Sequence, residues 1–173
     1  MRILQGTATP KEVITVNEEE WLAELESDLR KKKDRSDTLD ELFQLTFLGD
    51  PEIRKKAAWC VAKMGQNKVP DTRIVDILIP LTKDPDPETR ESVAWGIGEV
   101  AGAGIGDDRC ISSLRILADD DNKDVRGMAA WATGRLRNKL SLTDPELDDV
   151  MKRLLNDESA YVAASARFAL GLE

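Results

Sequence analysis

Two cysteines, 33 carboxylates and no histidine make up the reactive inventory of this 173-residue chain. General acid–base catalysis most often uses histidine, so here it would fall to a tuned carboxylate. Cys60 and Cys110 sit among apolar residues at helical spacing and read as buried, reduced, structural thiols. Two cysteines make a poor zinc site, because structural zinc usually takes about four Cys or His ligands. Asp119, Asp120 and Asp121 form a run without the loop spacing of a calcium site and read as a solvated turn. Neither a P-loop nor a Gly-rich dinucleotide fingerprint is present. The expectation is therefore a non-enzymatic chain with no metal and no cofactor.

Binding chemistry is better represented. Trp59, Trp95 and Trp131 are spaced by 36 residues each, and Phe168 follows at 37. Each closes a recurring motif of acidic turn, β-branched residue, arginine and small residues. The first copy is Asp50-Pro51-Glu52-Ile53-Arg54 with Ala57-Ala58-Trp59. The second is Asp86-Pro87-Glu88-Thr89-Arg90 with Val93-Ala94-Trp95. The third is Asn122-Lys123-Asp124-Val125-Arg126 with Ala129-Ala130-Trp131. A weaker fourth runs from Asp157 through Val162 to Ala166-Arg167-Phe168. In-register copies are the signature of a repeat array, in which each unit packs on its neighbours.

A second apolar pattern precedes each motif. Leu42, Leu78, Leu114 and Val150 are 36 residues apart, so each unit reads as a helical hairpin. Thr38 with Glu41, and Thr143 with Glu146, have capping-box spacing, and Asp71 is placed to cap the helix of Ile74 and Leu78. Asp50-Pro51 and Asp86-Pro87 set an N-cap residue beside a first-turn proline. Pro80 should bend its helix, since it removes a backbone donor. Ahead of the repeats, Asn17 and Glu18 to Glu20 start a helix whose apolar stripe is Trp21, Leu22, Leu25 and Leu29.

The expected organisation is all-α, an alpha-alpha superhelix. It comprises an arm over residues 1–16, with Val13 to Val16 as a short strand or an extended arm, and a capping helix over 17–35. Four hairpins then fill 36–173, at about 38–65, 71–101, 107–137 and 143–173. The last helix is rich in alanine and poor in charge, a poorly capped end open to self-association through the C-terminal repeat or to a missing partner. The net charge of −8 argues against nucleic acid or an anionic membrane as partner. No apolar run approaches the roughly 18 residues of a membrane span, and residues 1–10 lack a signal-peptide core, so a cytoplasmic location is expected.

The Asp-Pro-Glu-Ile-Arg and Ala-Ala-Trp elements resemble the short HEAT-like repeats first named from phycobilisome lyases, and also the units of designed helical repeat proteins. The resemblance covers about residues 38–173. It implies a HEAT-type, armadillo-like solenoid that serves as a scaffold for another protein or peptide. It also implies an inter-repeat ladder of Asp50 and Asp86 with Arg54, Arg90 and Arg126, broken where Ala163 replaces arginine. The resemblance further suggests an accessory lyase or chaperone-like role on a tetrapyrrole or other cofactor. The iron chemistry of the related deoxyhypusine hydroxylases is excluded, because it needs histidine.

A helix wheel locates the aromatic row. Counting from the β-branched residue as zero, Ala57, Cys60, Val61 and Met64 cluster on one side. The aromatic, at position six, lies roughly 150° from that centre at about 100° per residue. In HEAT solenoids this face lines the concave surface. Two readings follow. In the first, the rings pack on the small residues Ala62, Gly98, Gly134 and Gly171. In the second, Trp59, Trp95, Trp131 and Phe168 form a partner-binding stripe about 30 Å long, rimmed by Lys56, Lys63, Glu99 and Arg135.

Overall fold

The computed structural model describes residues 17–172, so the arm expected over residues 1–16 lies outside them. Among the described residues there are nine α-helices and no strand. They are α1 Glu18–Arg30, α2 Leu39–Leu48, α3 Pro51–Gln66, α4 Arg73–Leu78, α5 Pro87–Val100, α6 Asp108–Leu117, α7 Lys123–Leu140, α8 Pro145–Leu154 and α9 Ala160–Leu170. The all-α solenoid read from the periodicity is the observed fold.

The helix starts follow local chemistry. Asp50 accepts from the Glu52 and Ile53 N–H groups, Asp86 from Thr89, and Asn122 from Asp124 and Val125. Each satisfies backbone donors that a helix start leaves open. Asp71 accepts from the Arg73 N–H, as its position implied. The two threonine caps are not formed. The Thr38 hydroxyl donates instead to the Arg35 carbonyl, inside a short 3-10 turn, and α8 is capped by Asp144 rather than Thr143. Ser and Thr compete locally for backbone partners, and a neighbouring aspartate is the stronger acceptor. Pro80 ends α4 at Leu78, and the chain continues through Ile79–Lys83 as a 3-10 helix, which tolerates the missing donor.

The helices form two layers. Each second helix packs on the second helices flanking it, α3 on α5, α5 on α7 and α7 on α9. The first helices pair with them in hairpins and form the other layer, α2 against α4 and α6 against α8. α1 packs on α3 and buries Leu22, Leu25 and Leu29 completely or nearly so. Full burial of one such leucine contributes about 2 kcal/mol. The continuous core includes the four wheel positions Ala57, Cys60, Val61 and Met64, all at 0% exposure.

An arginine ladder ties the repeats together, but its acids differ from those the resemblance implied. Asp50 and Asp86 are occupied as caps. Arg54 pairs with Asp84, Arg90 with Asp120 and Arg126 with Asp157, each partner lying in the following repeat. Arg90 is bidentate, with Nε donating to Asp120 Oδ2 at 2.6 Å and Nη2 to Oδ1 at 2.9 Å. Its Nη1 donates to the carbonyls of Asp84 and Pro85. Asp120 also accepts from the Asn122 N–H, so both ends of the bond are fully engaged. The three acids retain only 4–9% side-chain exposure. The ladder ends at Asp157, and the fourth repeat carries Ala163 in the arginine register. A second, exposed ladder runs along the first helices. Arg73 reaches Asp40 at 2.9 Å and Arg109 reaches Asp76 at 2.8 Å.

Candidate functional site

Helices α3, α5, α7 and α9 carry Trp59, Trp95, Trp131 and Phe168 in one register of the second-helix layer. The three tryptophans are half-buried and Phe168 is exposed. The ring edges of Trp131 and Phe168 are packed against the preceding second helix. A Cβ on Gly98 would stand 2.5 Å from Trp131 Cζ3, and one on Gly134 would stand 2.5 Å from Phe168 Cε1. Each of these rings thus rests on the small residue of the preceding repeat, which accounts for the small side chain at that register. At Gly98 and Gly134 this is the first of the two readings of the row: a solenoid helix has neighbours on both sides, so a residue turned away from its own hairpin's core still meets the next repeat.

The ring faces are a different matter. Trp59 and Trp95 tilt toward each other, with centroids 6.2 Å apart at an interplanar angle of 39°. Two rings already hold a guanidinium. Arg30 of α1 lies over Trp59 at 4.6 Å from the ring centroid, and Arg135 lies over Trp131 at 5.5 Å. Such cation–π contacts contribute about 0.5–1 kcal/mol where partly exposed. Of the four expected rim residues, Glu99 and Arg135 brace the row instead of standing free. Glu99 accepts from Trp95 Nε1 at 3.2 Å and pairs with Arg135 at 3.5 Å, while Arg135 Nε donates to the Gly98 carbonyl. Lys56 and Lys63 lie half-buried on α3, and Lys63 donates to Gln66.

Beside the first two rings lies an open cavity of about 320 Å³, lined by Trp59, Glu88, Glu91, Ser92, Trp95 and Met128. The wheel did not single out Glu88, Glu91 or Met128. Glu88 meets Lys55 at 3.7 Å, a lysine that also pairs with Glu52. Glu91 is half-buried and meets no cation among the described residues. Burial, then the nearby carboxylates of Asp124 and Glu88, push its carboxyl above the usual value of 4.5. Tyr161 of α9 extends the same strip. Its ring covers Gly127, and burial followed by the charges of Glu91 and Asp124 raises its phenol.

Elsewhere, Cys60 and Cys110 are fully buried and free, and burial pushes both thiols up, away from reactivity. Among the described residues no three His, Cys, Asp or Glu side chains converge as a metal site, and no helix is long and apolar enough to cross a membrane. On the opposite layer Phe43 and Phe47 stack with centroids 6.4 Å apart, both exposed, a pair the repeat pattern had not marked.

Stacked helical hairpins with a buried inter-repeat ladder and a periodic aromatic face define an α-solenoid. The family model for HEAT repeats matches residues 75–171, more than half of the chain. The protein belongs to the HEAT-repeat family. No curated protein matches it significantly. Among solved structures, one engineered protein is similar with a TM-score of 0.69 at 17% identity, over 91% of this chain and 74% of its own. A second engineered protein gives 0.67 at 17% identity, over 92% of this chain and 45% of its own. A designed armadillo repeat protein in complex with the peptide (KR)4 gives 0.64 at 17% identity, over 91% of this chain and 77% of its own. At this identity the likeness establishes the fold.

Proposed function

We propose that this chain is an interaction scaffold that binds an extended peptide or a helix of another protein along its second-helix layer. The row of Trp59, Trp95, Trp131 and Phe168 carries the reading: the Trp131 and Phe168 edges are seated on glycines of the preceding repeat, while Trp59 and Trp95 line an open recess. Rigid aromatic side chains bury large area at little conformational cost, which suits a recognition surface. The peptide complex of the designed armadillo repeat protein supports the same mode for a solenoid of this shape. The 36-residue period further supports placing the chain with the short, phycobilisome-lyase-type repeats.

The test is capture of protein partners from native lysate by the wild type and by Trp95→Ala with Trp131→Ala. The expected result is loss of the captured proteins with an unchanged helical circular-dichroism spectrum. Unchanged capture by the double variant would overturn the reading. A collapsed spectrum would also count against it, because it would assign the rings to the core.

A further inference from the structure

We infer that the recess bordered by Trp59 and Trp95 is a pocket for the cationic side chain, lysine or arginine, of a basic extended segment in the partner, with Glu91 as its counter-charge. This assignment rests on the scaffold reading and gives it a chemistry.

Three observations converge on it. The first is ring geometry. Trp59 and Trp95 form two walls of a recess of about 320 Å³, ample for one long side chain, with Met128 as an adaptable third wall. Indole is the best of the aromatic faces for a cation. The row demonstrates this twice within its own chain, through Arg30 on Trp59 and Arg135 on Trp131. Trp95, the ring between them, has no such cation among the described residues.

The second observation is charge. Of the two carboxylates that line the pocket, Glu88 and Glu91, only Glu88 meets a cation among the described residues. Glu52 and Glu88 share Lys55, and Glu99 holds Arg135 and Trp95. Glu91 is left with Asp124 and Glu88 as neighbours of like charge and with Tyr161 beyond. A half-buried carboxylate among like charges is held at a cost that an incoming cation would relieve.

The third is the departure from the repeat. The register of Glu91 holds Lys55, Gly127 and Ala164 in the other units. Packing between repeats therefore does not require an acid there. The neighbouring register holds Lys56, Ser92, Met128 and Ser165, and the recess beside Glu91 takes Trp59 from the first hairpin, Ser92 and Trp95 from the second and Met128 from the third.

The probe is a synthetic octapeptide of alternating lysine and arginine, titrated against full-length protein with tryptophan fluorescence as readout. Saturable binding that perturbs tryptophan emission is expected, with Glu91→Gln weakening it about tenfold or more at fixed salt. Glu20→Gln, which removes the same charge from the exposed first turn of α1, should weaken it less than about twofold. Equal weakening by the two variants would overturn the assignment, since the net charge of −8 alone would then attract the peptide. A peptide with norleucine in place of the basic residues should not bind, and binding of it would also overturn the assignment. If the basic peptide fails to bind while the tryptophan double variant still loses its lysate partners, the cationic pocket falls and the scaffold reading stands. If lysate capture is also unaffected, both fall.

Discussion

Two rows of side chains run through this molecule at the same period, and they are finished differently. In the arginine ladder each guanidinium meets an aspartate of the next repeat and carbonyls of its own turn, while each aspartate also takes a backbone N–H. Nothing in that row is left for an outside ligand. In the aromatic row Gly98 and Gly134 receive the edges of Trp131 and Phe168, and Arg30 and Arg135 cover two faces, but its acidic flank leaves Glu91 without a cation among the described residues. In a repeat array, a polar group whose partner recurs at every unit belongs to the lattice. A group that breaks the register, in a recess, without a partner, is where the array departs from self-packing.

The largest expected effect tests the closed row. Arg90→Ala leaves Asp120 buried without its guanidinium, and breaking a buried pair from one side costs about 3–5 kcal/mol. Arg109→Ala removes a pair whose partners are about half exposed, where about 1 kcal/mol or less is at stake. Urea unfolding of both variants at pH 7 measures the difference. Equal losses would show that the two ladders are equivalent. The pH dependence has a defined sign. The Arg126 guanidinium holds Asp157 below 3.8, and at Asp120 burial acts upward but is outweighed by Arg90 and the Asn122 N–H. Carboxyls lowered by folding stabilise it above their unfolded pKa, so this contribution fades as pH falls below about 3.8.

A middle-sized effect tests the edges of the open row. Gly98→Ala in an exposed helix would stabilise by about 1 kcal/mol, because alanine is the better helix former. Here the new methyl would meet Trp131 Cζ3 at 2.5 Å and the Ala132 Cα at 3.0 Å, the second of which is backbone and cannot swing aside. Overpacking of this kind costs about 1–3 kcal/mol, so the sign reverses. Thermal unfolding reads it, and a gain in stability would show that the ring is not seated on the glycine.

The sequence made some of this architecture legible and hid the rest for physical reasons. Hairpins and the buried face of α3 followed from periodicity, because a helix's core positions repeat with its own geometry, and the caps at Asp50 and Asp86 from their place beside a first-turn proline. The partners of Arg54, Arg90 and Arg126 were misassigned. Asp50 and Asp86 stand nearest in sequence, but a cap spends its carboxylate on its own helix. Asp84, Asp120 and Asp157, spaced by 36 and 37 residues, carried the signal, and Asp120, read as part of a solvated turn, is instead buried against Arg90 because the guanidinium of the preceding repeat takes both its oxygens. Glu91 was not marked because one carboxylate among 33 has no distinguishing type. Only the packing of α5 between α3 and α7 turns it toward two indoles.

The smallest effect is the most discriminating. Glu91 has its carboxyl raised by folding, so its ionisation opposes the folded state at neutral pH. A carboxyl with a raised pKa favours folding fully below its unfolded value of 4.5 and loses that contribution as pH climbs through the folded one. Glu91→Gln should therefore stabilise the free protein at pH 7, by less than about 1 kcal/mol because solvent screens a partly exposed group. At pH 4 the gain should vanish, since the wild-type carboxyl is then largely neutral. Chemical denaturation at the two pH values measures this. A carboxylate that served only to hold the fold would show the opposite, a loss at pH 7 on substitution. A residue whose replacement strengthens the empty scaffold while weakening its grip on a basic peptide has been kept for the ligand rather than the fold.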